Sequence, residues 1–175
     1  MMDCPNIVQF YGIGIQDINI YSCMEVMDIS LKDLYKEIHS TRQAFPEDII
    51  GCVGASVLNA LVACKAIEVI HRDVKPANVL INLNGYIKLG DFGESRILEN
   101  SAAKSSVGTI SYWPPESFTK SDEYDVRFDV WSLGITLTEI SYGKHPLIDQ
   151  STEKDYAQVQ NIISRVKGDM IQGVQ

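Results

Sequence analysis

The order of elements along the chain predicts an α+β fold, because short strand patterns come first and helical patterns follow. The chain has 175 residues, of which 45% are hydrophobic and 22% are charged. This size and composition allow one globular domain with its own core. The sequence contains neither an internal repeat nor a low-complexity segment, so it predicts neither a solenoid nor a disordered protein.

The charge balance excludes several classes of partner. Asp and Glu number 23 against 15 Lys and Arg, which gives a net charge of -8. Nucleic acids and anionic membranes attract clustered basic residues, so we expect neither as a partner. The uncharged run at residues 49–64 falls short of the roughly 20 apolar residues that cross a bilayer, and the first residues do not resemble a signal peptide. We therefore expect a cytoplasmic protein, with its four cysteines as buried free thiols.

The first half of the chain predicts a hairpin and two helices. Residues 7–11 and 18–24 are rich in β-formers, and the glycines and polar residues between them predict a turn of an antiparallel pair. A capping box at residues 30–33 predicts the start of a short amphipathic helix. Pro46 and the two acids after it predict a second helix, whose apolar stripe continues to Cys64.

The second half predicts a small ribbon followed by helices. Two short β-rich runs flank Asn84-Gly85, a pair that favours the positive φ angles of a tight hairpin turn. The predicted strands are residues 79–81 and 86–89. The predicted helices are residues 130–140, ending near Gly143, and residues 153–167, with one apolar face.

Chemically capable side chains concentrate between a predicted helix and a predicted strand, at residues 71–78, and again just after the ribbon. Phosphoryl transfer needs a base near the attacking hydroxyl, a cation against the phosphate, and oxygen ligands for magnesium. Asp73 can orient a hydroxyl and accept its proton, and Lys75 can neutralise the phosphate. Asn78 and Asp91 can supply the metal ligands.

Four segments resemble the protein kinase family. They are H-R-D-x-K-x-x-N at residues 71–78, D-F-G at 91–93, P-P-E at 114–116 where A-P-E is usual, and D-V-W-S-L-G at 129–134. Their occurrence in the family's order argues against the alternative, an unrelated α+β domain. The resemblance implies that the chain is one partial kinase domain. In it, residues 1–27 would form a remnant of the small lobe with the hinge, and residues 28–175 the large lobe.

A closer resemblance is to the dual-specificity MAP kinase kinases, in particular the stress-activated branch. It is carried by residues 24–31, 46–49 and 124–136. It implies a kinase that uses ATP and Mg²⁺ to phosphorylate Ser, Thr or Tyr hydroxyls of a MAP kinase, and that is itself activated by an upstream kinase.

The resemblance also implies roles for single residues. Asp73 and Lys75 would be catalytic, and Lys75, Asn78 and Asp91 would bind the nucleotide and its metal. The expected adenine pocket comprises Met24 as gatekeeper, the backbone of Glu25 and Met27, and Leu80 beneath the ring. The expected stack between the lobes comprises Phe10, His71 and Phe92, held by Asp129.

The activation segment would carry two regulatory phosphorylation sites, Ser101 and Ser105, with Ser106 as a substitute. A phosphate there could pair with Arg72. The alternative is a solvated Ser-rich loop without a switch. The resemblance also implies that Thr109 hydrogen-bonds the catalytic Asp and Lys, and that Glu116 pairs with an arginine of a later helix.

Departures from the family pattern leave two functional hypotheses. The sequence has no Lys or Arg before Lys32, so the family's strand lysine and its glutamate partner are missing, as is the arginine expected to pair with Glu116. We expect the chain to lack the start of the small lobe and the end of the large lobe. It is either a fragment of an active kinase or a truncated, catalytically inactive kinase-like binding module. Gly90 and Pro114 replace the subfamily's cysteine and alanine, which predicts altered loop geometry.

Overall fold

The computed structural model of the chain describes residues 4–97, 108–118, 126–149, 152 and 155–166. These residues confirm the α+β prediction, with long helices packed beside small antiparallel sheets. Strands and helices alternate along the chain: three strands come first, two helices follow, and four more strands precede the last two helices.

The chain starts with an antiparallel hairpin of β1, Phe10–Gln16, and β2, Asn19–Met24. The predicted pair forms, but placing Gly12 and Gly14 in the turn was wrong, because both lie inside β1. Gly12 has a φ of 154° at an irregularity of the pairing, a backbone conformation that favours glycine. Glycine therefore marks a bulge here, and the turn falls between the strands.

Strand β3, Ile29–Ser30, leads directly into α1, Leu31–Ser40. The predicted N-cap is confirmed, because the Ser30 hydroxyl accepts a hydrogen bond from the Asp33 amide at 3.1 Å. The Asp33 carboxylate in turn accepts from the Ser30 hydroxyl at 2.7 Å. The Lys32 amide donates to the Pro76 carbonyl at 2.9 Å, so the start of α1 is fixed against the 71–78 loop.

Helix α2, Glu47–Ala66, packs against α3, Arg127–Tyr142, and against the strand Ile87–Leu89. The predicted apolar stripe of α2 is buried at Val53, Val57, Ala60 and Cys64. The first three of these belong to a core shared with α3 and the strand Ile87–Leu89. Helix α3 is longer than predicted and ends as expected, with Gly143 as a C-cap at φ 75°.

The length argument against a membrane span was too strong. Helix α2 has 20 residues and an 18-residue stretch of mean hydropathy 1.8, so length and composition alone permit a span. One face of α2 is buried in the core, whereas Leu58 and Val62 are exposed on the other, and only 22% of the apolar stretch is buried in all. The absence of a membrane partner stays a prediction.

The ribbon consists of β5, Val79–Ile81, and β6, Ile87–Leu89, with β3 paired to the outer side of β5. The predicted turn at Asn84-Gly85 forms, with Gly85 at a φ of 79°, but it is wider than predicted, because five residues join the strands. The Asn82 side-chain oxygen accepts from the amides of Asn84 and Tyr86, at 3.1 and 3.0 Å, and so closes a wider loop.

Two further short strands and a fourth helix lie outside the ribbon and the long helices. Strands β4, Val69–Ile70, and β7, Arg96–Ile97, pair antiparallel. Helix α4, Tyr156–Ile163, is shorter than predicted and buries Val159 in a small second core. Its N-cap is Asp155, which accepts from the Gln158 amide at 3.1 Å.

The prediction of four buried cysteines holds for Cys64 alone. Burial raises the pKa of its thiol to about 11. Cys23 and Cys52 are exposed and Cys4 is partly buried. Two of these positions lie on faces that the core does not cover, the hairpin and the outer side of α2, which composition could not reveal.

Candidate active site

The 71–78 loop is held by a buried carboxylate on α3. Asp129 accepts hydrogen bonds from the backbone amides of His71 and Arg72, each at 2.8 Å. Arg72 has a φ of 65°, a strained conformation for a non-glycine residue. Burial raises the pKa of Asp129, although the two amide donors oppose that effect. Asp129 therefore stabilises a backbone shape that propensity disfavours.

The fully buried imidazole of His71 links this loop to the segment after the ribbon. Its Nε2 lies 2.9 Å from the Gly90 carbonyl, which can only accept, so Nε2 carries the proton. Burial lowers the pKa of His71 and keeps the ring neutral. Nδ1 is then an acceptor for the Asp73 amide at 3.3 Å. The ring also makes an edge contact with Phe92, at a centroid distance of 4.6 Å.

The Asp73 carboxylate lies at the centre of a polar cluster. Lys75 Nζ is 2.7 Å from Oδ2, and the Thr109 hydroxyl and amide donate to Oδ1 at 2.9 and 3.1 Å. The Lys75 ammonium donates to the same hydroxyl at 2.6 Å. The expectation that Thr109 bonds both residues is therefore confirmed. Burial favours a higher pKa for Asp73, but the bonds from Lys75 and Thr109 outweigh it and lower the pKa, so the carboxylate is ionised at neutral pH.

The two predicted metal ligands lie at the same end of the ribbon. Asn78 precedes β5 and Asp91 follows β6, and because Val79 pairs with Leu89 the two ends meet. The Gly90 amide also donates to the Asn78 carbonyl at 2.9 Å. The sequence order of two short strands thus brings distant oxygen ligands to one edge.

These ligands suit magnesium. Asn78 Nδ2 donates to the carbonyl and carboxylate of Asp73, both at 2.8 Å, and its Oδ1 accepts no hydrogen bond within the described chain. The Asp91 carboxylate is exposed and accepts from the Gly93 amide at 3.3 Å. No group of three or more His, Cys, Asp or Glu in the described residues could hold a metal. Mg²⁺ bound here would therefore depend on phosphate oxygens and water as well.

A cavity of about 640 Å³ opens beside Asp91. Its walls include Phe10, Met24 and Phe92, so the structure brings the predicted gatekeeper and two members of the predicted stack to one space. The Leu80 side chain lies next to Gly90: a Cβ atom added at Gly90 would be 3.3 Å from Leu80 Cδ1. The adenine-binding and stacking roles of these residues stay predictions.

The sequence did not single out Lys88, which contacts the predicted hinge. Its ammonium donates to both carboxylate oxygens of Glu25 at 2.7 Å. The hydrogen bond from Lys88 lowers the pKa of Glu25. The Glu25 amide donates to the Gln9 carbonyl at 2.8 Å. The alternation of Ile87, Lys88 and Leu89 was the available signal, because Lys88 must face away from the core.

The structure describes only some of the residues to which the activation-segment predictions refer. Ser101, Ser105 and Ser106 lie outside the described residues. Arg72 is buried and its Nε donates to the Glu94 carbonyl at 2.8 Å. Glu116 is exposed on a 3-10 helix, Pro115–Phe118. Phosphate binding by Arg72 and an arginine partner for Glu116 stay predictions.

The two departures that predicted altered loop geometry lie in fixed backbone. Both backbone polar groups of Gly90 are bonded, its amide to Asn78 and its carbonyl to His71, so its freedom is not used. The carbonyl of Pro114 accepts from the Ser117 amide at 3.0 Å. Residues 98–107 of the activation segment lie outside the described residues, so altered geometry of that loop stays a prediction.

Comparison with known proteins matches residues 1–172 to the family described as "Protein kinase domain". The dual specificity mitogen-activated protein kinase kinase sek-1 of Caenorhabditis elegans is 46% identical over 154 residues, 85% of this chain and 46% of that protein. MAP kinase kinase mkk-4 of the same organism is 43% identical over 163 residues, 91% of this chain and 44% of that protein. Dual specificity mitogen-activated protein kinase kinase mek-2 of that organism is 41% identical over 160 residues, 90% of this chain and 40% of that protein.

The chain thus spans less than half the length of these relatives. The kinase family match, in contrast, covers almost every residue, including all those of the Asp73 cluster. This chain belongs to the protein kinase domain family.

Proposed function

We propose that this chain is the catalytic part of a MAP kinase kinase, which transfers the γ-phosphoryl group of ATP to hydroxyls of a MAP kinase. The main support is the cluster in which Asp73 contacts Lys75, Asn78 and Thr109 within 3.1 Å. A scaffold protein has no chemical need for this arrangement. The similarity to MAP kinase kinases supports the position in the cascade.

In the proposed reaction Asp73 acts on the substrate hydroxyl. Its lowered pKa keeps it ionised, so it orients the hydroxyl and accepts its proton as the oxygen attacks. Lys75 places a positive charge beside the same carboxylate and stabilises the charge of the transferring phosphoryl group. The Thr109 hydroxyl accepts a hydrogen bond from Lys75 and donates one to Asp73, and so it fixes the two side chains relative to each other. The bond to the γ-phosphorus forms at the substrate oxygen and breaks at the β,γ-bridging oxygen.

Asn78 and Asp91 would hold magnesium through their side-chain oxygens. Bound Mg²⁺ supplies positive charge against the phosphates of ATP. The chain's own contribution is to fix these ligands: the Asn78 amide is oriented by Asp73, and Asp91 follows Gly90, whose backbone bonds both His71 and Asn78. Met24, Leu80 and the backbone of Glu25 and Met27 would hold the adenine.

The proposal extends to regulation. Dual specificity, activation by an upstream kinase through Ser101 and Ser105, and action in the cytoplasm are part of the proposed function. Arg72 supports a phosphate-sensing role because it follows His71 directly and its Nε already contacts the segment after D-F-G, at Glu94.

A second candidate is a catalytically inactive binding module. The observation that favours it is the β1–β2 hairpin, whose apolar side chains are largely exposed, with Ile15 at 75% and Ile20 at 72%. Exposed apolar strands attract a partner. Phosphate transfer separates the two candidates.

The test has two arms. The 175-residue chain, with no lysine before Lys32, is expected to transfer no phosphate from labelled ATP. A longer protein that supplies the family's glycine loop and strand lysine ahead of residue 1 is expected to phosphorylate a MAP kinase.

In that longer protein, Asp73→Asn is expected to lower the rate at least ~100-fold, because it removes the base. Asp48→Asn, a change at an exposed carboxylate on α2, is the control and should retain activity. Unchanged activity of Asp73→Asn would refute the assigned base. Efficient transfer by the 175-residue chain would refute the need for the lysine.

A further inference from the structure

A second cavity, of about 650 Å³, opens on the other side of the Asp73 cluster. It lies between α1, the 71–78 loop and the end of α3. Lys75 and Thr109, the two residues that bond the Asp73 carboxylate, form part of its wall. A peptide whose hydroxyl reaches Asp73 must therefore pass the mouth of this cavity.

The cavity wall is rich in lysine, although the whole chain carries a net charge of -8. Lys32 and Lys36 lie one turn apart on α1, and Lys144 follows the C-cap of α3. All three are exposed, and none makes an ion pair with a carboxylate in the part of the chain that the structure describes. Lys75, in contrast, is paired with Asp73.

The negative groups of the cavity do not cancel this charge. Glu139 is 6% exposed and accepts hydrogen bonds from the hydroxyls of Tyr35, at 2.6 Å, and Tyr112, so each of its carboxylate oxygens already has a donor. Asp149 is the other carboxylate of the wall, and it is exposed. Within the described residues, three lysines without an ion pair thus line a cavity that has two carboxylates, of which only Asp149 is exposed.

We infer that this cavity binds an acidic side chain of the protein substrate, a few residues from the hydroxyl that Asp73 receives. The inference rests on the proposed function, because it deepens it by naming the class of substrate segment. Unpaired lysines attract a carboxylate, and a segment rich in Lys or Arg is repelled. The backbone bond from Lys32 to Pro76, at 2.9 Å, holds the basic face of α1 next to the 71–78 loop.

The test measures peptide binding by the 175-residue chain, using fluorescence anisotropy. Short labelled peptides carry one central serine flanked by Glu, by Gln or by Lys. Each exposed ion pair contributes up to about fivefold, so the Glu peptide is expected to bind about 3- to 10-fold more tightly than the Gln peptide. The preference should shrink as salt rises, because exposed charges are screened.

The variant Lys32→Gln/Lys36→Gln is expected to lose most of the preference for the Glu peptide, because only Lys144 remains of the three lysines. The matched control is Lys65→Gln, at an exposed lysine in the last turn of α2 that does not line the cavity, and it should retain the preference. Circular dichroism and the unfolding midpoint establish that the double variant is folded.

Equal binding of all peptides by the unchanged chain, no binding of any peptide, or an undiminished preference in the double variant would each overturn the inference. The proposed function fails differently, through absence of phosphate transfer by the longer protein. Peptide charge preference is measured without nucleotide, so the two failures are distinguishable.

Discussion

The 71–78 loop and the β1–β2 hairpin differ in which side chains they bury: the loop buries polar side chains, and the hairpin exposes apolar ones. The loop is polar in sequence and nearly buried in the structure, with His71, Arg72, Asp73 and Asn78 each at most 7% exposed. The hairpin is rich in apolar side chains and exposed on most of its surface. Position in the fold, and not composition, decides burial in both regions.

The two regions differ in what stabilises them. The loop receives fixed partners from other elements, Asp129 from α3 and Thr109 from the segment before α3. Buried polar groups persist only when such partners exist. The hairpin strands pair mainly with each other, and their apolar faces gain little from burial. The loop should therefore respond strongly to single changes and the hairpin weakly.

The largest effect is expected for Asp129→Ala. The change leaves the buried amides of His71 and Arg72 without their acceptor, which costs about 2–5 kcal/mol of unfolding free energy. Urea denaturation measures it. Asp149→Ala, at an exposed carboxylate, is the control and should change stability by less than ~0.5 kcal/mol. An equally small loss for Asp129→Ala would show that the loop shape does not depend on α3.

Thr109→Val tests the Asp73 cluster itself. It removes the hydroxyl between Asp73 and Lys75, with an expected loss of about 1 kcal/mol. Because that hydrogen bond lowers the pKa of Asp73, the pKa should rise in the variant, which NMR titration of the carboxyl carbon can follow. Thr109→Ser keeps the hydroxyl and should keep the low pKa. A pKa unchanged in Thr109→Val would contradict the assigned contact.

Lys88→Gln probes the contact between hinge and ribbon. Lys88 and Glu25 are 13% and 20% exposed, so the loss should stay near 0.5–1 kcal/mol at neutral pH. The pKa of Glu25 lies below its ordinary value of 4.5 in the folded chain. The stabilisation of the folded chain by the Lys88–Glu25 pair is therefore complete above pH 4.5, and it is lost as the pH falls through the pKa of Glu25 in the folded chain.

The unfolding free energies of the unchanged chain and of Lys88→Gln should consequently converge in acid. Lys65→Gln serves as the matched lysine control, with no change at either pH. A gap between the unchanged chain and Lys88→Gln that persists well below pH 4.5 would show that packing of the lysine stem, and not its charge, carries the effect.

The smallest effect is expected in the hairpin. Ile15→Thr replaces a side chain that is 75% exposed, so unfolding free energy should change by less than ~0.5 kcal/mol, while self-association, measured by sedimentation, should fall. Leu89→Ala, at a fully buried side chain, is the apolar comparison and should cost about 2–5 kcal/mol. A loss of similar size for Ile15→Thr would mean that the hairpin face is covered in solution.

The sequence predicted the helices well, because helical periodicity and caps are local. Ser30 and Gly143 lie at the predicted ends of α1 and α3. It predicted turns less well. Gly12 and Gly14 are turn signals by composition but lie inside β1, and the turn at Asn84-Gly85 forms but is wider than predicted, because the Asn82 side chain closes a larger loop.

The sequence by itself determined which residues are available for chemistry and that they belong together, since the order of Asp73, Asn78 and Asp91 around a short ribbon places them near one another. The tertiary structure alone decided the protonation of His71, the Lys88–Glu25 pair, and the collection of lysines from α1 and the end of α3 around one cavity. Protonation and charge pairing depend on burial and on neighbours that are distant in the chain, and no local pattern records those.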